Sequence, residues 1–248
     1  MLEHALGRSR LVLMNEAHSG LARCVRTREL GRELLPVAHA GGVRHLAMEA
    51  LWDRAVAERA NVERRLERGL DGYLGQPEMI ALVDAALALG WTLHGYEAAF
   101  DVMRGWGPED AAAINRREAE QARNLGAIVT ALPESARVLV WCGNGHLSRR
   151  HAVVSAGTET VSWTPMGSLV GGYCGVEPFA IDQTVTVGFG RRELDWLAAY
   201  EDVLRDLGGH AGCLAADAPP ELAWLGDSAD AYVLSLDNEL TEDQAEGA

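Results

Sequence analysis

Short apolar runs separated by stretches of helical period are the feature that most constrains this chain. Runs at residues 11–14, 45–48, 91–96 and 138–141 alternate with helical patterns at 27–40, 53–68, 76–89 and 108–132. That alternation predicts an α/β fold, with a mostly parallel central sheet and helices on both faces. Punctuation supports it: Gly41-Gly42, Gly69 and Gly90 follow three of the helical patterns, and Pro108 and Pro133 bracket the fourth. Beyond it, strands are expected at 161–163, 184–188 and 231–236 and a helix at 191–207, with Gly167, Gly171, Gly172 and Gly175 making a flexible segment. Residues 1–236 read as one domain and 237–248 as an acidic, frayed tail.

Composition removes several function classes. All 22 basic residues are Arg, so a Schiff-base lysine, a pyridoxal-phosphate lysine and a phosphate-loop lysine are excluded. The net charge of −14 argues against nucleic acid, because phosphate contacts need a basic face. No apolar stretch approaches the roughly 20 residues that span a bilayer, and the first residues do not read as a signal peptide. No membrane association and a cytoplasmic location are expected. The cysteines Cys24, Cys142, Cys174 and Cys213 lie far apart and read as reduced thiols.

The chemistry collects at the carboxyl ends of the four main strands, where parallel sheets bind ligands. The first strand runs into Asn15-Glu16-Ala17-His18, the second into Glu49, the third into Glu97 and the fourth into Gly143-Asn144-Gly145-His146. Glu16 and His18 stand two apart, so in an extended segment both side chains face the same way. Glu49 interrupts an apolar run, where a carboxylate is costly unless paired or functional. The two glycines before His146 would permit an unusual turn that aims it into a cleft. On the long helix, Glu118 and Gln121 occupy the stripe that later turns fill with aliphatics, and Arg117, Gln121 and Asn124 form an adjoining polar row. Arg116, Glu120 and Arg123 fit a solvated face. No G-x-G-x-x-G, no G-x-S-x-G and no paired metal-ligand spacing around His210 and Cys213 is present.

In order along the chain, these blocks resemble the superfamily that joins erythromycin esterases, ChaN-like haem-binding proteins and Tiki-type metalloproteases. Asn15-Glu16-Ala17-His18 is similar to the strand-end G-E-x-H or G-E-x-x-H motif, and Met48-Glu49-Ala50 to the second-strand acid. Arg117-Glu118-x-x-Gln121-Ala122-x-Asn124 is similar to the helical R-[DE]-x-x-M-A-x-N pattern. Trp141 to His146, followed by Pro165-Met166-Gly167-Ser168-Leu169, resembles the esterase segment H-N-x-H with its later M-G-x-x-L. The departures are Asn15 for Gly, Gly143 for a first His and Gln121 for Met.

The resemblance implies a hydrolase acting on an ester, lactone or amide of a small secondary metabolite or modified peptide. Catalytic roles then fall to His18 as general base, Glu16 and Glu49 as its partners, and His146 and Arg117 at the oxyanion or leaving group. Glu97, Glu118, Gln121 and Asn144 are the substrate-binding candidates. Two cofactor readings stay open: none, or one divalent ion (Mn, Fe or Zn) on Glu16, His18 and His146. The resemblance also allows a non-catalytic metal or haem carrier with Tyr96, Tyr173 or a histidine as axial ligand, or a non-hydrolytic tailoring enzyme on the same scaffold. Each catalytic reading requires residues 16, 18, 49 and 146 to converge on one open hollow.

Overall fold

Strand β1 (Leu11–Glu16) is buried along its whole length, as a strand covered on both faces must be. The computed structural model describes residues 1–16, 25–99, 111–143, 145–156, 159–186 and 195–236. Around β1 lie β2 (Val43–Met48), β3 (Thr92–Gly95), β4 (Arg137–Gly143), β7 (Phe179–Thr186), β8 (His210–Leu214) and β9 (Ala231–Ser235), in the order β3-β2-β4-β1-β7-β9-β8. All neighbours pair in parallel except β8, which runs antiparallel to β9 at the edge. A separate antiparallel hairpin is made by β5 (Ala152–Ala156) and β6 (Glu159–Trp163). The expected α/β class with a mostly parallel sheet is observed.

Strand residues alternate between two cores, as the period of two requires. Val12, Met14, Leu46, Met48, Leu139 and Trp141 face helices α1 (Leu2–Arg8), α2 (Val25–Ala40), α3 (Arg54–Glu63) and α4 (Pro77–Ala88). Leu11, Leu13, Ala47, Val138, Val140 and Cys142 face α5 (Ala111–Ala131), α6 (Met166–Cys174) and α7 (Asp195–Asp206). Helices thus cover both faces. Among the described residues, no helix is long and apolar enough to cross a membrane.

Two expectations are corrected. The glycine-rich segment at 167–175 is not loose: residues 166–174 form α6. Gly167 serves close packing, since a Cβ there would lie 2.2 Å from the Leu147 carbonyl oxygen, and Gly175 ends the helix in the left-handed region; on the facing helix α5, a Cβ on Gly126 would lie 2.5 Å from the Tyr173 Cβ. The helix expected at 53–68, α3, stops at Glu63, short of Gly69, because Arg64 turns into the left-handed region. Its guanidinium there donates to the carbonyls of Leu87 and Trp91, at 2.5 and 2.9 Å, closing the end of α4. The expected residues 187–188, 191–194, 108–110 and the tail 237–248 lie outside the described residues.

The sheet also fixes the position of Glu49. Gly95 at the end of β3 faces the backbone of Leu51, and a Cβ there would stand 1.9 Å from the Leu51 carbonyl oxygen. Gly95→Ala therefore has to push away the segment that carries Glu49. It is expected to cost about 1–3 kcal/mol of stability in chemical denaturation. Native-like stability would show that this approach does not constrain the strand end.

Candidate functional site

Carboxylates placed after buried strands need partners, because an isolated charge in low dielectric is expensive. Glu16, at the end of β1, is 3% exposed and meets a fully buried arginine from α2. Arg28 Nε and Nη2 donate to its two oxygens at 2.7 Å each, the bidentate geometry that suits a guanidinium. The Trp141 indole N–H adds a third contact at 2.7 Å, and Arg28 also donates to Gln76 Oε1. Strand β1, strand β4, helix α2 and the start of α4 are thereby tied through one ion pair.

A second arginine organises the neighbouring strand ends. Arg117, from the first part of α5, donates to Glu49 Oε1 at 2.5 Å and to both oxygens of Glu97. Gln121, one turn along, donates to both Glu97 oxygens at 3.0 Å. The other Glu49 oxygen accepts the Gly143 N–H at 2.8 Å, which links the ends of β2 and β4. Burial works against the Arg117 charge, but the bond to Glu97 and the fields of Glu49 and Glu97 outweigh it and hold the guanidinium more firmly protonated than usual. Arg123 pairs instead with Glu120 on the outer face, as the solvated-row reading anticipates.

His146 stands between two carboxylates. Its Nδ1 lies 2.7 Å from Glu118 Oε1, a close ion-pair contact. Its Nε2 lies 3.6 Å from Glu49 Oε1. Burial pulls the imidazole pKa down, yet Glu49 and Glu118 overcome this and push it up to about 9. At neutral pH the ring is an imidazolium, a proton donor. Glu118 is 1% exposed and also accepts from the Trp163 indole at 2.9 Å and the Met166 N–H at 2.6 Å. Trp163 reaches it by crossing Gly145, where a Cβ would stand 2.2 Å from the indole ring. Gly145 thus leaves room for an indole. The expected turn runs through Asn144, outside the described residues.

Glu16, Glu49, Glu97, Arg117, Trp141, Cys142 and Gly143 line one open cavity of about 350 Å³, within the usual range for small-molecule sites. Two of the four expected convergent residues, Glu16 and Glu49, therefore share its wall, and His146 joins them through Glu49. His18 and Asn144 lie outside the described residues. Glu118 and Gln121 sit behind the wall, positioning His146 and Glu97. Tyr96 is fully buried and its hydroxyl donates to the Trp141 carbonyl at 3.2 Å, while Tyr173 is exposed on α6. Burial, helped by nearby carboxylates, pushes the Tyr96 phenol and the Cys142 thiol up, so both stay protonated. Neither is a ready nucleophile.

A metal on Glu16 and His146 does not fit this arrangement. Both Glu16 oxygens are engaged by Arg28, and both His146 nitrogens face carboxylates. Among the described residues, no group of three or more His, Cys, Asp or Glu side chains is placed to hold an ion. Two partners escape the sequence reading. Arg28 falls on the buried stripe Arg28, Gly31, Leu35, Ala38 of α2, and a cation on such a stripe is a sign of a buried counter-charge. Trp163 comes from a hairpin strand that carries no motif of its own.

No protein-family model and no curated protein matches the sequence. Among solved structures, a mutant of the erythromycin esterase EreC in its open conformation superposes with a TM-score of 0.53 at 11% identity, over 94% of this chain and 92% of that one. A Bacillus cereus protein gives 0.51 at 12% identity, over 95% and 90%. The RRSP effector domain of a Vibrio vulnificus toxin gives 0.47 at 14% identity, and this chain spans about a third (34%) of its length. The chain has the erythromycin esterase-like fold.

The buried Glu16–Arg28 pair sets up a stability test. Arg28→Met leaves Glu16 without its counter-charge and is expected to cost about 3–5 kcal/mol. The double variant Glu16→Leu/Arg28→Met should recover a large part of that loss. Additive losses in this double-mutant cycle, measured by urea denaturation, would mean that the two groups do not depend on each other.

Proposed function

We propose that this protein is a hydrolase that cleaves an ester, lactone or amide of a small secondary metabolite or modified peptide in the cavity beside Glu49. The observation that carries the reading is the imidazolium of His146, held between Glu118 and Glu49, the second of which lines the cavity. A group already protonated at neutral pH suits the acid half of a hydrolysis. The fold likeness to EreC, described as an erythromycin esterase, supports the reaction class.

In this reading His18, two positions beyond Glu16, is the general base. It takes a proton from water as the oxygen attacks the substrate carbonyl. The carbonyl π pair moves onto oxygen, and His146 donates a hydrogen bond to the developing oxyanion. Collapse of the tetrahedral intermediate breaks the bond to the leaving group, which takes the His146 proton. The proton held by His18 then returns to His146, directly or through water, and product leaves as the acid with its alcohol or amine. Arg117 is shared by Glu49 and Glu97, so its role here is to position Glu49 beside His146. Glu97 and Gln121 brace that arginine, and Asn144 is assigned to the substrate.

Chromogenic esters such as p-nitrophenyl acetate give the assay. His18→Ala is expected to abolish turnover with an unchanged circular dichroism spectrum; full activity in that variant removes the base. Glu49→Gln should lower kcat/KM by about 10²-fold or more, the scale of losing one preorganised electrostatic group. If it unfolds the protein and leaves the kinetics of the folded fraction unchanged, Glu49 is structural.

The His146 pKa is raised from 6.5 to about 9, so its acid form is present below that value and lost as pH rises through it. Activity should therefore fall above about pH 9. A rate that climbs through this range would make His146 a base instead.

A further inference from the structure

The cavity mouth is built differently from its floor. Trp52, just after β2, lines the cavity yet is 61% exposed, so much of its indole is accessible to a ligand. Asp71 is exposed on the same rim. It stands before the 3₁₀ turn Gly72–Gly75, but its side chain makes no capping hydrogen bond there and forms no ion pair among the described residues. Tyr73, Leu74 and Met79 add apolar lining to the same cavity.

The charge balance is one-sided. Glu16, Glu49, Asp71 and Glu97 line the cavity, with Arg117 as the one cationic lining residue among those described. Glu16 is matched by Arg28, and Arg117 is divided between Glu49 and Glu97. Among the described residues the lining therefore carries more negative than positive charge, and Asp71 is the carboxylate whose charge is least committed. An anionic ligand is disfavoured by that balance. A cation gains twice, from Asp71 and from the accessible indole, where the ring quadrupole attracts positive charge.

We infer that the substrate carries a cationic nitrogen on an apolar body, with the nitrogen held at the mouth by Trp52 and Asp71 and the body along Tyr73, Leu74 and Met79. The inference rests on the reading of this cavity as the catalytic one, and it adds the substrate's charge and the residues that select it.

The test is binding by isothermal titration calorimetry with a matched series: 4-phenylbutylamine, 4-phenylbutanol and 4-phenylbutanoate. The amine is expected to bind roughly tenfold more tightly than the alcohol, and the carboxylate not measurably. Asp71→Asn should remove most of the amine's advantage and leave the alcohol unchanged, whereas Trp52→Ala should weaken both. Both residues are exposed, and circular dichroism checks that the variants fold. Equal binding of amine and alcohol, measurable binding of the carboxylate, or an amine affinity insensitive to Asp71→Asn would overturn the inference. Binding needs no turnover, so the two readings fail separately. If no ester is hydrolysed but the Asp71-dependent amine preference holds, the hydrolase reading falls and this one stands. If esters are hydrolysed without charge preference, the reverse follows.

Discussion

One guanidinium governs the geometry of this site. Arg117 reaches from α5 across the ends of β2 and β3 to join Glu49 and Glu97, two carboxylates that would otherwise repel each other in a poorly solvated corner. Their separation fixes where Glu49 stands, and the Gly143 N–H fixes how it turns. The position and charge of His146 follow from that, because Glu49 is one of the two carboxylates that hold its proton. A cluster of acids at a sheet edge becomes an ordered site because a single arginine divides its charge between two of them.

The second arginine works on the other side of the sheet. Arg28 engages both oxygens of Glu16, so this acid ties β1 to α2. The two arginines thus separate two duties among chemically similar carboxylates. Environment, not residue type, makes the distinction, as it does wherever buried acids have unlike partners.

Much of this was legible in the sequence. The alternation of apolar runs with helical periods identifies the parallel sheet, and parallel order puts Glu16, Glu49, Glu97 and the His146 loop on one edge. The polar start of α5 correctly marks a helix facing something charged, since Arg117, Glu118 and Gln121 all point into the cluster. Less legible were the contacts made over long sequence separations. Arg28 lies in a helix whose amphipathic pattern hides one cation among aliphatics, and Trp163 lies in a hairpin with no motif. The glycines at 167–175 were misread because glycine composition reports backbone freedom, whereas at Gly167 the actual constraint is the nearness of the Leu147 carbonyl. Periodicity sees one element at a time, and these are properties of two elements in contact.

Acid catalysis at this site depends on the proton carried by His146, and a nuclear magnetic resonance titration of its ring signals, assigned with a His146→Gln variant, measures this directly. A midpoint near 9 is predicted, with the Glu49→Gln variant titrating lower because one of the two stabilising carboxylates is gone. A midpoint at or below the ordinary imidazole value near 6.5 would contradict the account, because the ring would then be neutral where it is required to donate.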